Sequence, residues 1–160
     1  GATVAVQPGG LMEQVSTDAE QEKVYFAGNL GFIRMALKHG VPLLPVYAFG
    51  ENQLYRTVPW VRRINEWCYR KLKTGSLVVL GQFGLINTPA LPNPFMLPIR
   101  GAGMHIRFGE PVNLGPADPA PSDAKIEECF KKYVTELQRM FDEHKDSCLP
   151  PEVAARGLKA

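Results

Sequence analysis

Short apolar runs alternate with amphipathic stretches along the whole 160-residue chain, and that alternation leaves few architectures open. "ATVAV" (Ala2 to Val6), Val46 to Phe49, "SLVVLG" (Ser76 to Gly81) and "MHIRFGEPV" (Met104 to Val112) read as strands. Between and after them, "LGFIRMALKH", Pro59 to Lys73 and a long stretch following Ser122 read as helices. In the last of these, Ile126, Phe130, Tyr133, Leu137 and Met140 recur at spacings of 4, 3, 4 and 3, the period of one helix face. Strands alternating with helices predict an α/β fold.

The ends of these elements are marked by residues with a mechanism. Asn29 is placed to cap the first helix and Gly40 to stop it; Ser122 is placed to cap the last. Pro45 is tolerated at a strand's first residue, and the apolar Val46, Tyr47, Ala48 and Phe49 read as a parallel strand covered on both faces. On the Pro59–Lys73 helix, Trp60, Ile64, Trp67 and Cys68 fall on one face, and Arg62, Arg63, Glu66, Arg70 and Lys73 on the other. Ser16 to Gly28 is polar and reads as irregular, and the tail after Pro150 as frayed. One domain over residues 1–150 with a tail at 151–160 is expected.

Composition excludes several classes. A net charge of +2 is too small to argue for nucleic acid. Three widely spaced cysteines, Cys68, Cys129 and Cys148, support neither a disulfide framework nor a metal site and favour a thiol-reducing compartment. No run of 18 apolar residues is present, nor a secretory signal. The chain begins at Gly1 within a predicted strand, so a preceding segment, with any anchor it carries, is expected upstream.

In open sheets, sites gather beyond the carboxyl ends of strands. Two places fit. The first strand ends in Pro8-Gly9-Gly10 and reaches Glu13; the strand after Pro45 ends in Gly50 and reaches Glu51 and Asn52 at once. Glycine lets a backbone approach a ligand, and a carboxylate beside such a turn orients or polarises a reacting group. The plainer reading of each acid is a solvated loop residue.

"PGGLMEQ" and "GNLGFIRMALKHGVPLLPVYAFGENQLY" together resemble the type-2 diacylglycerol acyltransferase family, which includes monoacylglycerol acyltransferases and wax synthases. A G-G-x-x-E box maps onto Gly9, Gly10 and Glu13. A long signature maps onto Gly31, Phe32, Arg34, Ala36, Gly40, Leu44-Pro45 and Phe49-Gly50-Glu51. "GQFGL", "LPIRGAGMHIRFGEPV" and "MFDEHKD" extend the resemblance over nearly the whole chain. Two features depart from the pattern: Asn29 stands where an arginine usually opens the long signature, and the family's His-Pro-His-Gly box is absent.

The resemblance implies a glycerolipid-acyltransferase-like mixed sheet flanked by helices, truncated at the N-terminus. It implies transfer of a fatty acyl group from acyl-CoA to a diacylglycerol, a monoacylglycerol or a long-chain alcohol, with acyl-CoA as co-substrate and no cofactor or metal. Glu13 and Glu51 become the catalytic candidates, and Gly9, Gly10, Arg34, Gly50 and Asn52 the substrate-binding ones. The missing histidine box is the expected base, so the chain alone is expected to be inactive. Location on the cytosolic face of the endoplasmic reticulum membrane follows by the same analogy.

Alternatives remain at this level. Arg34 serves either a structural ion pair or a CoA phosphate. His39 suits the dipole at its helix end. His105 and Glu110 spell H-x-x-x-x-E but lie five apart along a strand, on opposite faces, and His144 reads as exposed. The Trp60, Ile64 and Trp67 helix either lies on a membrane surface or packs on the sheet. Phe95, Met96 and Leu97 either meet lipid or join the core. From a different class, a non-catalytic lipid-binding or membrane-associating module is the rival.

Overall fold

The computed structural model describes residues 3–56, 58–73, 78–81, 86–87 and 103–159. The proline-rich segment with Phe95, Met96 and Leu97 lies outside them. In chain order the helices are α1 (Gly10–Val15), α2 (Gly31–His39), α3 (Pro59–Leu72), α4 (Asp123–Cys148) and α5 (Pro151–Ala154). The strands are β1 (Glu22–Lys23), β2 (Val46–Phe49), β3 (Val79–Leu80), β4 (Ile86–Asn87), β5 (His105–Phe108) and β6 (Leu158–Lys159), with a 3-10 turn at Glu51–Gln53.

The long helix α4 is the axis. Its 26 residues run about 39 Å at the helical rise of 1.5 Å per residue. Ser122 caps it as expected, its Oγ accepting from the Lys125 N–H at 3.3 Å. Ile126, Tyr133, Leu137 and Met140 are buried, as their period required, with Phe130 partly so. They meet Ile33, Ala36 and Leu37 of α2 and Leu114 in one core cluster. At the other end of α4, Phe141 stacks on Phe49 with ring centroids 5.3 Å apart, and both rings are fully buried. Cys148, Leu149, Val153 and Ala154 complete that second cluster.

Among the described residues the strands form three small sheets in a mixed α/β arrangement. β2 pairs antiparallel with β5, Val46 opposite Phe108 and Phe49 opposite His105. A bridge between Leu43 and Val112 extends the ladder. β1 and β6 pair in parallel, and β3 and β4 antiparallel. The parallel, doubly covered reading of β2 is therefore corrected. In an antiparallel ribbon alternate residues face opposite sides. Tyr47 and Phe49 turn to α4, while Val46 and Phe108 remain 47% and 63% exposed on the other face.

Three further expectations change. Val4 and Val6 are exposed and form no strand, because no described strand pairs with them. The polar run from Ser16 holds β1, tied down by β6. The segment after Pro150 is folded rather than frayed: Val153 and Ala154 bury against the second cluster, and β6 follows. On α3 the buried face is Val61, Asn65 and Cys68, so of the apolar stripe Cys68 is covered while Trp60, Ile64 and Trp67 stand exposed. Asn65 decides the rotation: its side chain donates to the Val78 carbonyl and accepts from the Val78 N–H, at 2.8 and 3.0 Å. All three cysteines are free and buried.

Replacing Phe141 by Ala removes one half of the stacked pair and leaves a void in a site with no spare space. A loss of about 3–5 kcal/mol is expected, read as a lower urea midpoint with an unchanged slope.

Candidate active site

Two glycines make the site's close approaches possible. A Cβ on Gly9 would lie 2.5 Å from the Glu13 Cβ and 2.6 Å from the Tyr25 carbonyl oxygen. Only glycine lets α1 bend back so that Glu13, in its first turn, lies over the chain that precedes it. Gly50 ends β2 with φ +85°, and a Cβ there would collide with the Gly103 carbonyl oxygen. Its geometry turns the chain directly into Glu51–Gln53.

What fixes that turn is Glu22, which sequence reasoning missed. Glu22 is fully buried. The Tyr47 hydroxyl and the Asn52 Nδ2, the latter at 2.8 Å, donate to its Oε2; the Gln53 Nε2 donates to its Oε1 at 2.8 Å. Gln53 also donates to the Ala19 carbonyl at 3.0 Å, leaving its own Oε1 without a partner among the described residues. Burial, with the adjoining Glu22 charge, pushes the Tyr47 phenol far upward, so Tyr47 stays protonated and serves as a donor. In the polar run "DAEQEKV" Glu22 carries no mark of burial; its one signal is its place just before the apolar Val24-Tyr25-Phe26.

Glu13 and Glu51 come close enough to feel each other. Burial is the main cause that raises Glu13 above its ordinary value of 4.5; the Tyr25 N–H and the Gln7 amide oppose it, and the Glu51 charge adds to it. Both acids also act on Tyr47. Beside Glu13 lies an open hollow of about 190 Å³, lined by Glu13, Ser16, Lys23, Val24, Tyr25 and Lys159. Glu51 is exposed at the tip of its turn. Such a group of acids suits proton transfer and the orientation of a hydroxyl.

Gly9, Gly10 and Glu13 sit at the head of α1 and Gly50, Glu51 and Asn52 just past β2, with Glu13 and Glu51 each within electrostatic reach of Tyr47. Asn52 spends its amide on Glu22, so its visible work is positioning. Arg34 is elsewhere. It pairs with Asp123 at 3.1 Å, at the start of α4, about 27 Å along the axis from Phe141, which underlies Phe49. His105 opens β5 opposite Phe49, whereas Glu110 lies past the other end of β5 with its N–H on Glu136, so the two do not meet. His144 lies against the Phe49 ring and is only partly exposed. Among the described residues, no group of three or more His, Cys, Asp and Glu is placed to hold a metal ion.

Comparison with known proteins agrees with these motifs. The family model described as Diacylglycerol acyltransferase matches residues 1–154. The chain belongs to that family. It is 30% identical to 2-acylglycerol O-acyltransferase 3 of Homo sapiens, over 94% of this chain and 44% of the relative. It is 30% identical to Diacylglycerol O-acyltransferase 2 of Dictyostelium discoideum, over 95% of this chain and 46% of the relative. With Acyl-CoA wax alcohol acyltransferase 2 of Mus musculus the figures are 31%, 91% and 43%. The chain spans less than half the length of these family members. No solved structure matches it.

The raised Glu13 has a consequence for stability. The folded chain holds this proton more tightly than the unfolded chain does. Glu13 therefore stabilises the fold below the ordinary glutamate range, and that contribution is lost as pH rises through the raised folded value. Replacing Glu13 by Gln removes the loss. The variant should match the wild type in melting midpoint near about pH 4 and exceed it near neutrality, measured by calorimetry across that range.

Proposed function

We propose that this chain forms part of an acyl-CoA-dependent O-acyltransferase of neutral lipid synthesis, with Glu13 and Glu51 in its site. The acceptor is a diacylglycerol, a monoacylglycerol or a long-chain alcohol, in keeping with the relatives' names. One observation supports the reading: the two glycine-flanked acids, 38 positions apart in a chain that the family matches over residues 1–154, both lie within electrostatic reach of the Tyr47 hydroxyl. In acyl transfer a lipid hydroxyl attacks a thioester carbonyl. The hydroxyl proton must leave, and donors must steady the oxyanion. Glu13, held toward its protonated form, is suited to orient the acceptor or the base that takes that proton. The finer fold reading, a glycerolipid-acyltransferase-like sheet, belongs to the same proposal.

Expression of the full-length protein in cells lacking neutral-lipid synthesis tests it. Fatty esters should appear, and Glu13→Gln should lower their rate roughly a hundredfold or more while the protein stays folded. Wild-type turnover in that variant removes Glu13 from the site; absence of any ester removes the activity.

A second reading concerns place. Among the described residues no helix is long and apolar enough to cross a membrane. Yet Trp60, Ile64 and Trp67 form an exposed stripe on α3, with Lys71 among them and Arg63 and Arg70 along its edge. That arrangement suits a helix lying in a lipid surface, and by family analogy the cytosolic face of the endoplasmic reticulum. The same stripe would serve the non-catalytic lipid-binding module. Vesicles with anionic lipid should bind the 160-residue chain, and a Trp60→Ser/Trp67→Ser double variant should bind about tenfold or more weakly. Equal binding by both proteins takes α3 out of the interface.

A further inference from the structure

β6 lies beyond residue 154, where the family match ends. It is two residues long, yet much of the site rests on it. Leu158 and Lys159 pair in parallel with Glu22 and Lys23. The Val24 N–H donates to the Lys159 carbonyl at 2.8 Å. The buried Gln21 side chain donates to the Gly157 carbonyl at 2.7 Å, and Arg156 reaches both the main chain and the carboxylate of Glu20 at 3.1 Å. Leu158 packs against both core clusters. Four consecutive residues of the β1 segment, from Glu20 to Lys23, and then Val24, are thus fastened to this strand or to the two residues before it. Among the described residues β1 has no other strand partner.

We infer that β6 is a positioning element of the candidate acyl-transfer site: it holds β1 so that Glu22 stays beneath the 51–53 turn, and its Lys159 walls the hollow beside Glu13. The chain of contacts is continuous. β6 fixes the backbone of Glu22; Glu22 accepts from Asn52 and Gln53; the turn they belong to carries Glu51. The same strand lines the hollow from the other side through Lys159. Without it, the Val24 N–H loses its partner, Gln21 keeps only its bond to the Glu22 carbonyl, and Glu13 faces open water. α5 has its own anchorage in Val153 and Ala154, so the strand can be removed with the second core cluster left in place.

The inference rests on the acyl-transfer reading for its catalytic meaning, but its test does not use activity. The 160-residue chain is compared with a version ending at Ala155, both carrying 13C-labelled glutamate, by titration of Glu13 and by amide exchange at Gln53 and Leu54. Removal of β6 should bring the Glu13 midpoint down toward its ordinary value and speed those two amides about tenfold, with the α4 helix signal retained. A Glu13 curve that superimposes on the wild type overturns the inference, whatever the amides do. If the shortened chain fails to fold, Gln21→Leu in the full chain decides. It removes the tie to Gly157 and should shift Glu13 in the same direction by less; a superimposable curve again overturns the proposal. Failure of ester synthesis leaves either result standing, so the two readings fail separately.

Discussion

Glu22 lies buried inside this fold with no cation paired to it among the described residues, and three neutral donors keep it there. Taking a charge out of water costs several kcal/mol, and hydrogen bonds to a charged acceptor return about 1.5–3 kcal/mol each. Tyr47, Asn52 and Gln53 together are enough to offset most of that cost for Glu22. Lys23, its neighbour, is committed to Asp18 at 2.9 Å instead. Because the acceptor is fully buried, each donor is locked to it: a donor that let go would strand a polar group out of water's reach. The turn at 51–53 therefore has one conformation available rather than several.

Asp18 extends the same logic to α3. Burial alone would raise its acid, but Lys23, the Glu20 N–H and Arg62 hold it below the usual range. Arg62 reaches it at 3.2 Å from α3. The helix that carries the exposed tryptophans is thus tethered to the strand that carries Glu22. The exposed tryptophan stripe and the candidate acidic site are coupled through one short segment, residues 18 to 24.

The long periodic elements were legible from sequence because a single physical effect sets them. α4 and its stripe, its Ser122 cap and the αL stop of α2 at Gly40 all follow from burial and terminal hydrogen bonding. The turn from Gly50 into Glu51 was also legible, since glycine beside an acid at a strand end is a local signal, whereas no strand precedes Gly9 and Gly10 among the described residues. Pairing was not. Whether Val46–Phe49 meets a parallel or an antiparallel neighbour depends on His105–Phe108, more than 50 residues away, and nothing within the strand encodes it. The bond from the Asn52 amide to Glu22 was not legible either, because the acceptor lies 30 residues earlier. Which face of α3 packs was left open in the sequence, because its apolar stripe is wider than its buried one and the contact that sets the face is a buried asparagine.

Everything functional here depends on Glu13 and Glu51 occupying one site, with Glu22 holding the second of them in place. Titration of Glu13 by NMR in the wild type and in Glu51→Gln measures that directly. The account predicts a lower Glu13 midpoint once the Glu51 charge is gone, since that charge helps to raise it. Identical midpoints in the two proteins would show that the acids do not sense each other, and the shared site would be lost with them.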